Sequence, residues 1–290
     1  MVPQKQSTMK QHTLTLLLLF LSLQTIGQST EAKPTKKENR KNRPAFIEVG
    51  IGTSMATFRD FATSPLFYKG SPLFATTSRF KIDEKRESKF NIRYTTGEYE
   101  ATVEAHEAIS KTETLGISYT KLYGIPKWSN EKWNVKAGGV LDATLNFRIN
   151  ESLRNNGLGV EAIGTLLGAI KVSKDISRKA NKKIGFLALA PRQRKLSYQL
   201  NVGLLNNAYR NGYIYTNQSY VLNDLQLFYD YEFNTFSGFR IGSEIDYTFS
   251  LNNKNAFQIA YVWDAYTTGG IDPFEMATHT FKFSLLFNTK

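Results

Sequence analysis

Three histidines and one group of carboxylates are where any chemistry in this chain would have to begin. His12 lies in an apolar leader and would leave with it. His106 stands between Glu104 and Glu107, and His279 follows Glu275 by four residues. Neither belongs to a His-Glu-x-x-His zinc motif or a recognisable hydrolase motif. With no cysteine in 290 residues, a thiolate metal site, a disulfide frame, a cysteine nucleophile and a lipoprotein anchor are all excluded. No phosphate-binding glycine loop and no nucleophile elbow occur, and no cofactor or metal is expected. What remains is an acidic set expected at one rim: Asp230, Glu232, Asp264 and Asp272, with Glu275 and His279 beside them. Carboxylates so placed suit a divalent cation or a basic ligand. Glu275 with His279 is the weak candidate pair for acid–base hydrolysis of lipid or peptide. His279, however, shares parity with Phe281 and Phe283, which turns it outward on an unbulged strand.

The elements that would position these groups are strands. From Trp133 to Ile149, odd positions are apolar or small (Trp133, Val135, Leu141, Leu145, Phe147), while Asn134, Lys136, Asp142, Asn146 and Arg148 fall between them. Successive strand side chains point to opposite faces, so the segment has one apolar and one polar face. An ordinary strand has about 5–6 residues, whereas a membrane-crossing strand needs ~9–11. The same alternation recurs in 47–55, 196–204, 225–233, 239–249, 257–263 and 281–287, and more weakly in 72–82, 89–103, 114–125 and 157–173. The 20 Phe and 15 Tyr suit pleated strands and aromatic girdles. Connections at 83–88, 126–132 and 252–255 are short and polar, as hairpins require.

This pattern predicts an all-β fold, an antiparallel transmembrane β-barrel of 10–12 strands, with twelve slightly favoured. The basic segment 174–195 leaves the count open, according to whether 184–190 forms a strand. A soluble β-sandwich or barrel binding protein would show the same alternation; strand length and aromatic content favour the membrane. Charged positions on the polar face, namely Lys136, Asp142, Arg148, Arg240, Glu244 and Asp246, would line the lumen with both signs. Such groups either pair and plug a small barrel or line a narrow pore. The expected role is therefore structural, ligand-binding or porin-like, and an enzyme is the lesser reading.

Residues 1–27 have the layout of a secretory signal peptide: Lys5 and Lys10, an apolar core over 14–23, then Thr25 and Gly27 before a cleavage point at Gln28. No later run of ~18 apolar residues offers a membrane helix. Residues 28–44 read as a basic, disordered periplasmic linker, leaving 45–290 for the barrel. The net charge of +12 suits anionic lipid or lipopolysaccharide; for an exported chain nucleic acid is not expected.

The chain resembles the small outer-membrane barrel proteins of Bacteroidota-type bacteria. The resemblance is carried by Thr25-Ile26-Gly27-Gln28, the aromatic strands, the run Tyr231-Glu232-Phe233-Asn234-Thr235-Phe236-Ser237-Gly238, the stretch from Thr268-Gly269-Gly270 to Phe274-Glu275-Met276-Ala277, and the closing Phe287-Asn288-Thr289-Lys290. It implies the outer membrane of a Gram-negative bacterium, a monomeric barrel in contact with outer-membrane lipid, and insertion by the barrel-insertion machinery, with no activity assigned. Ending in Lys290 departs from the terminal aromatic of many barrels and leaves the insertion signal to Phe287 or to a variant signal.

Overall fold

The computed structural model describes residues 43–103, 106–153, 157–178, 182–184, 187–189, 191–212 and 231–290, and Arg43–Lys290 forms one compact unit. Its strands are β1 (Ala45–Asp60), β2 (Ser64–Gly70), β3 (Leu73–Ile82), β4 (Arg86–Val103), β5 (His106–Gly124), β6 (Trp133–Asn150), β7 (Leu158–Asp175), β8 (Lys182–Ile184), β9 (Leu187–Leu189), β10 (Arg194–Asn211), β11 (Tyr231–Asn234), β12 (Phe239–Ser250), β13 (Ala256–Thr267) and β14 (Phe274–Asn288). All pairings are antiparallel. The closed path runs β1-β3-β4-β5-β6-β7-β10-β12-β13-β14 and returns to β1, a ring of ten. Closure gives each of the ten ring strands a partner on both sides, where an open sheet would leave two edges bare.

β2 and β11 lie outside that ring and bring the sheet to twelve strands. Each continues a ring strand. β2 and β3 keep one register against β4 (Gly70↔Tyr99, then Leu73↔Thr96), and the Ser54 amide bridges the gap to the Pro72 carbonyl. Proline cannot donate to a ladder, so Pro72 interrupts the strand without moving it. The twelve thus arise differently from the sequence expectation. Of 184–190, the described residues 184 and 187–189 belong to a separate two-stranded sheet of β8 and β9, and of 225–233 only 231–233 falls within the described residues.

The long alternation of the sequence becomes the barrel wall, with β6 running 18 residues. On β6 the odd residues face outward, with Leu141 58% exposed, and the even residues Thr144, Asn146, Arg148 and Asn150 are buried in the lumen. Arg43 and Lys290, the two ends of the described unit, gather with the turns at 83–85, 126–132 and 252–255 at one end of the barrel, called here the terminal end. Loops 61–63, 151–153 and 268–273 lie at the opposite end. Two inward glycines allow neighbouring walls to approach closely: a Cβ on Gly138 would lie 2.1 Å from the Lys121 carbonyl oxygen, and one on Gly52 the same distance from that of Phe281.

Candidate functional site

The lumen holds the concentrated polar chemistry of the described residues, arranged in layers along the barrel axis. Nearest the terminal end, Glu87 receives Lys171 at 2.6 Å and Lys136 at 3.4 Å. At a similar depth Glu48 is held by Lys89 (2.8 Å), Lys282 (3.0 Å) and Ser78, and Lys282 also reaches Glu244 at 3.1 Å. Midway, Asp142 of β6 accepts Arg93 of β4 at 2.7 Å and Arg240 of β12 at 2.6 Å, and Arg240 turns its other nitrogens to Asp264. β6 and β12 are not neighbours in the ring, so this pair crosses the lumen. Asn146 then reaches across to the Tyr266 hydroxyl at 2.8 Å.

Closest to the opposite end, Asp60 accepts Arg148 and Arg210, each at 2.5 Å, and Glu161 forms a second ion pair with Arg148. Arg210 also donates to the Asp272 carbonyl at 2.5 Å. Around this group pack Phe58, Tyr68, Tyr99 and Phe274, all nearly fully buried, and the Arg148 guanidinium lies over the Phe274 ring at 4.6 Å. Buried charges are costly unless paired and hydrogen-bonded, and each member of this group has an opposite-sign partner. The rings complete the plug by excluding water.

These layers make the lumen asymmetric. A cavity of about 1610 Å3 is lined by terminal-end residues such as Glu84, Lys132, Gln193 and Asn252, and extends inward to Asp142, Arg240 and Asp264. Past that level, a second void of about 10 Å3 beside Phe58 and Arg148 has room for roughly one water. Among the described residues, then, the barrel is a vestibule open at the terminal end and stopped at the other.

The six charged positions read from the sequence as lumen-facing all lie on the inner face: Lys136, Asp142, Arg148, Arg240 and Glu244 in the ion pairs above, and Asp246 bonded to Gln258 at 3.0 Å. The acidic rim set does not assemble. Asp264 belongs to the mid-lumen layer through Arg240, because it shares parity with the buried Tyr266. Asp272 and Glu232 are exposed at the opposite end, and Asp230 lies outside the described residues. β14 keeps an unbroken register with β1 and β13, so His279 faces outward, its Nδ1 2.6 Å from the Tyr261 hydroxyl, while Glu275 is exposed on the same outer face. Neither touches the lumen, and among the described residues no cluster of His, Asp and Glu could hold a metal. The side chain of His106 lies outside the described residues.

Sequence reasoning passed over Asp60, Glu87, Lys171, Glu161 and Arg210. Strand parity carries the signal: on β1 the inward residues Glu48, Ser54, Ala56, Phe58 and Asp60 are buried, but the alternation read from the sequence stops at Met55, short of Phe58 and Asp60.

No family model and no curated protein matches the sequence. Among solved structures, the chain is similar to the translocator domain of the autotransporter NalP from Neisseria meningitidis (8% identity, TM-score 0.37, covering 96% of this chain and 95% of that one). It is also similar to the attachment invasion locus protein Ail of Yersinia pestis (8% identity, TM-score 0.28, 84% and 99% covered). A third is an outer-membrane channel from Pseudomonas putida F1 (9% identity, TM-score 0.29, 91% and 100% covered). At these scores the likeness does not reach ligand, partner or activity.

Proposed function

We propose that the chain is an integral outer-membrane β-barrel, of the Bacteroidota type its sequence resembles, whose lumen is a blind vestibule rather than an open pore. The outward face carries this reading. Ile51, Met55, Leu141, Leu145, Phe281, Phe283 and Leu285 form an apolar belt across β1, β6 and β14, with Ile51 69% exposed. Soluble proteins rarely expose contiguous apolar patches beyond a few hundred Å2, whereas a bilayer requires one. The closed ring leaves no free edge to recruit a second chain, which favours a monomer.

The role that follows is binding: the vestibule, lined by both charge signs, admits a small polar or charged solute from the terminal end. For an exported barrel that side is the periplasm. The hydrolase reading loses its support, since His279 and Glu275 lie on the outer wall. Two experiments test the proposal. The folded protein should be extracted only with detergent and should migrate differently on gels before and after heating; a mature chain soluble in water would overturn the membrane reading. In planar bilayers the folded barrel should give no current steps, and steady conductance from the native sequence would overturn the blind vestibule.

A further inference from the structure

The outer wall is as asymmetric in charge as the lumen is in shape. Every outward strand carboxylate among the described residues lies in the half nearer the opposite end: Glu98, Glu100, Glu107, Glu113 and Glu275 are exposed there. At the terminal end the outward strand charges are all positive, namely Arg79, Lys81, Arg86, Lys121, Lys174 and Arg194. None of these six has a carboxylate within ion-pair distance among the described residues. Lys81 instead sits among like charges, with Lys290, Arg79 and Arg43 close by.

Three of the six lie over aromatic rings at the edge of the apolar belt. Lys174 Nζ is 4.8 Å from the Trp133 ring centroid, Lys121 Nζ 5.7 Å from that of Tyr123, and the Arg194 guanidinium 5.3 Å from that of Phe249. Such an arrangement keeps an aliphatic stem or guanidinium plane against apolar surface and its charge at the depth of the lipid headgroups. Cations crowded on one rim repel one another unless anions stand between them. In a bilayer the groups at that depth are the phosphates of phospholipid.

We propose that this terminal-end rim is a binding surface for anionic phospholipid headgroups, selecting them over zwitterionic ones in the leaflet at that end. The proposal rests on the membrane reading above and names the lipid class that this rim engages. A cation near an anionic membrane surface is worth about fivefold in local partition, so several acting on one lipid shell give a measurable preference.

The full mature chain is folded into mixed phosphatidylglycerol and phosphatidylcholine vesicles, with one of the two lipids brominated high on its acyl chains. Trp133, retained as sole tryptophan in Trp128→Phe/Trp263→Phe, reports the rim; Trp263, retained in Trp128→Phe/Trp133→Phe, reports the outer wall away from it. Trp133 should be quenched more strongly by brominated phosphatidylglycerol, with a relative lipid binding constant of about five or more. Trp263 should show no preference. The preference at Trp133 should fall to near one in 0.5 M salt, given a Debye length of about 4 Å there, and in Lys121→Gln/Lys174→Gln/Arg194→Gln, which removes the cation over Trp133 itself. Equal quenching of Trp133 by both lipids would overturn the rim proposal while leaving the barrel in the membrane. Absence of quenching of either tryptophan by either lipid would overturn the membrane reading itself.

Discussion

Arg148→Met removes the cation that two carboxylates share at the stopped end of the lumen. Two carboxylates, Asp60 and Glu161, face two guanidiniums, Arg148 and Arg210, so the group is neutral as it stands. Arg210 lies at 2.5 Å from Asp60 and can still compensate it, but Glu161, 0% exposed, loses its ion pair. Removing one partner of a buried pair costs about 3–5 kcal/mol, because a charge is left buried and uncompensated. Arg148→Met should therefore lower unfolding free energy by about that amount, read from urea titrations of the folded barrel in phospholipid vesicles by tryptophan fluorescence. Arg148→Met/Glu161→Gln restores neutrality and should recover most of the loss, leaving roughly 1–2 kcal/mol for the missing contacts over Phe58 and Phe274. A single variant within about 1 kcal/mol of the native protein, or a double variant no better than the single, would refute the reasoning.

Three further outcomes follow from the same geometry. Phe58→Ala/Tyr99→Ala/Phe274→Ala removes three rings of the plug and should produce current steps in planar bilayers where the native barrel gives none; a heat-modifiable but silent variant would count against the plug. Gly138→Val drives a side chain onto the Lys121 carbonyl and should cost about 1–3 kcal/mol or more, whereas Gly164→Val, with nothing within 4 Å of the new Cβ, should be far milder in the same titration. His279→Leu gives up the hydrogen bond and ring contact to Tyr261 on the outer wall and should change stability by about 1 kcal/mol or less.

The barrel was legible in the sequence because period-two alternation is a local property, and a run such as Trp133–Asn150 records it residue by residue. The same parity turns His279 outward, as the structure has it. The plug was less legible, since its members come together only through closure: Asp60 and Arg148 are 88 residues apart, and Asn146 and Tyr266 are 120. Inward aromatics misled for a physical reason. Phe58 and Phe274 fill the lumen end, yet in a one-dimensional pattern an aromatic near a strand terminus reads as girdle. The alternation at 257–263 puts Asp264 at a strand end and so at the rim; β13 runs three residues further, which lowers Asp264 to the mid-lumen layer with Arg240.

A membrane barrel requires above all that the outward face meet hydrocarbon. Leu141, at the middle of β6 and 58% exposed, tests it directly. In phospholipid vesicles Leu141→Arg should lose about 2–4 kcal/mol of unfolding free energy, the cost of a cation near the bilayer midplane. A loss within about 0.5 kcal/mol, as at an ordinary water-facing position, would contradict it.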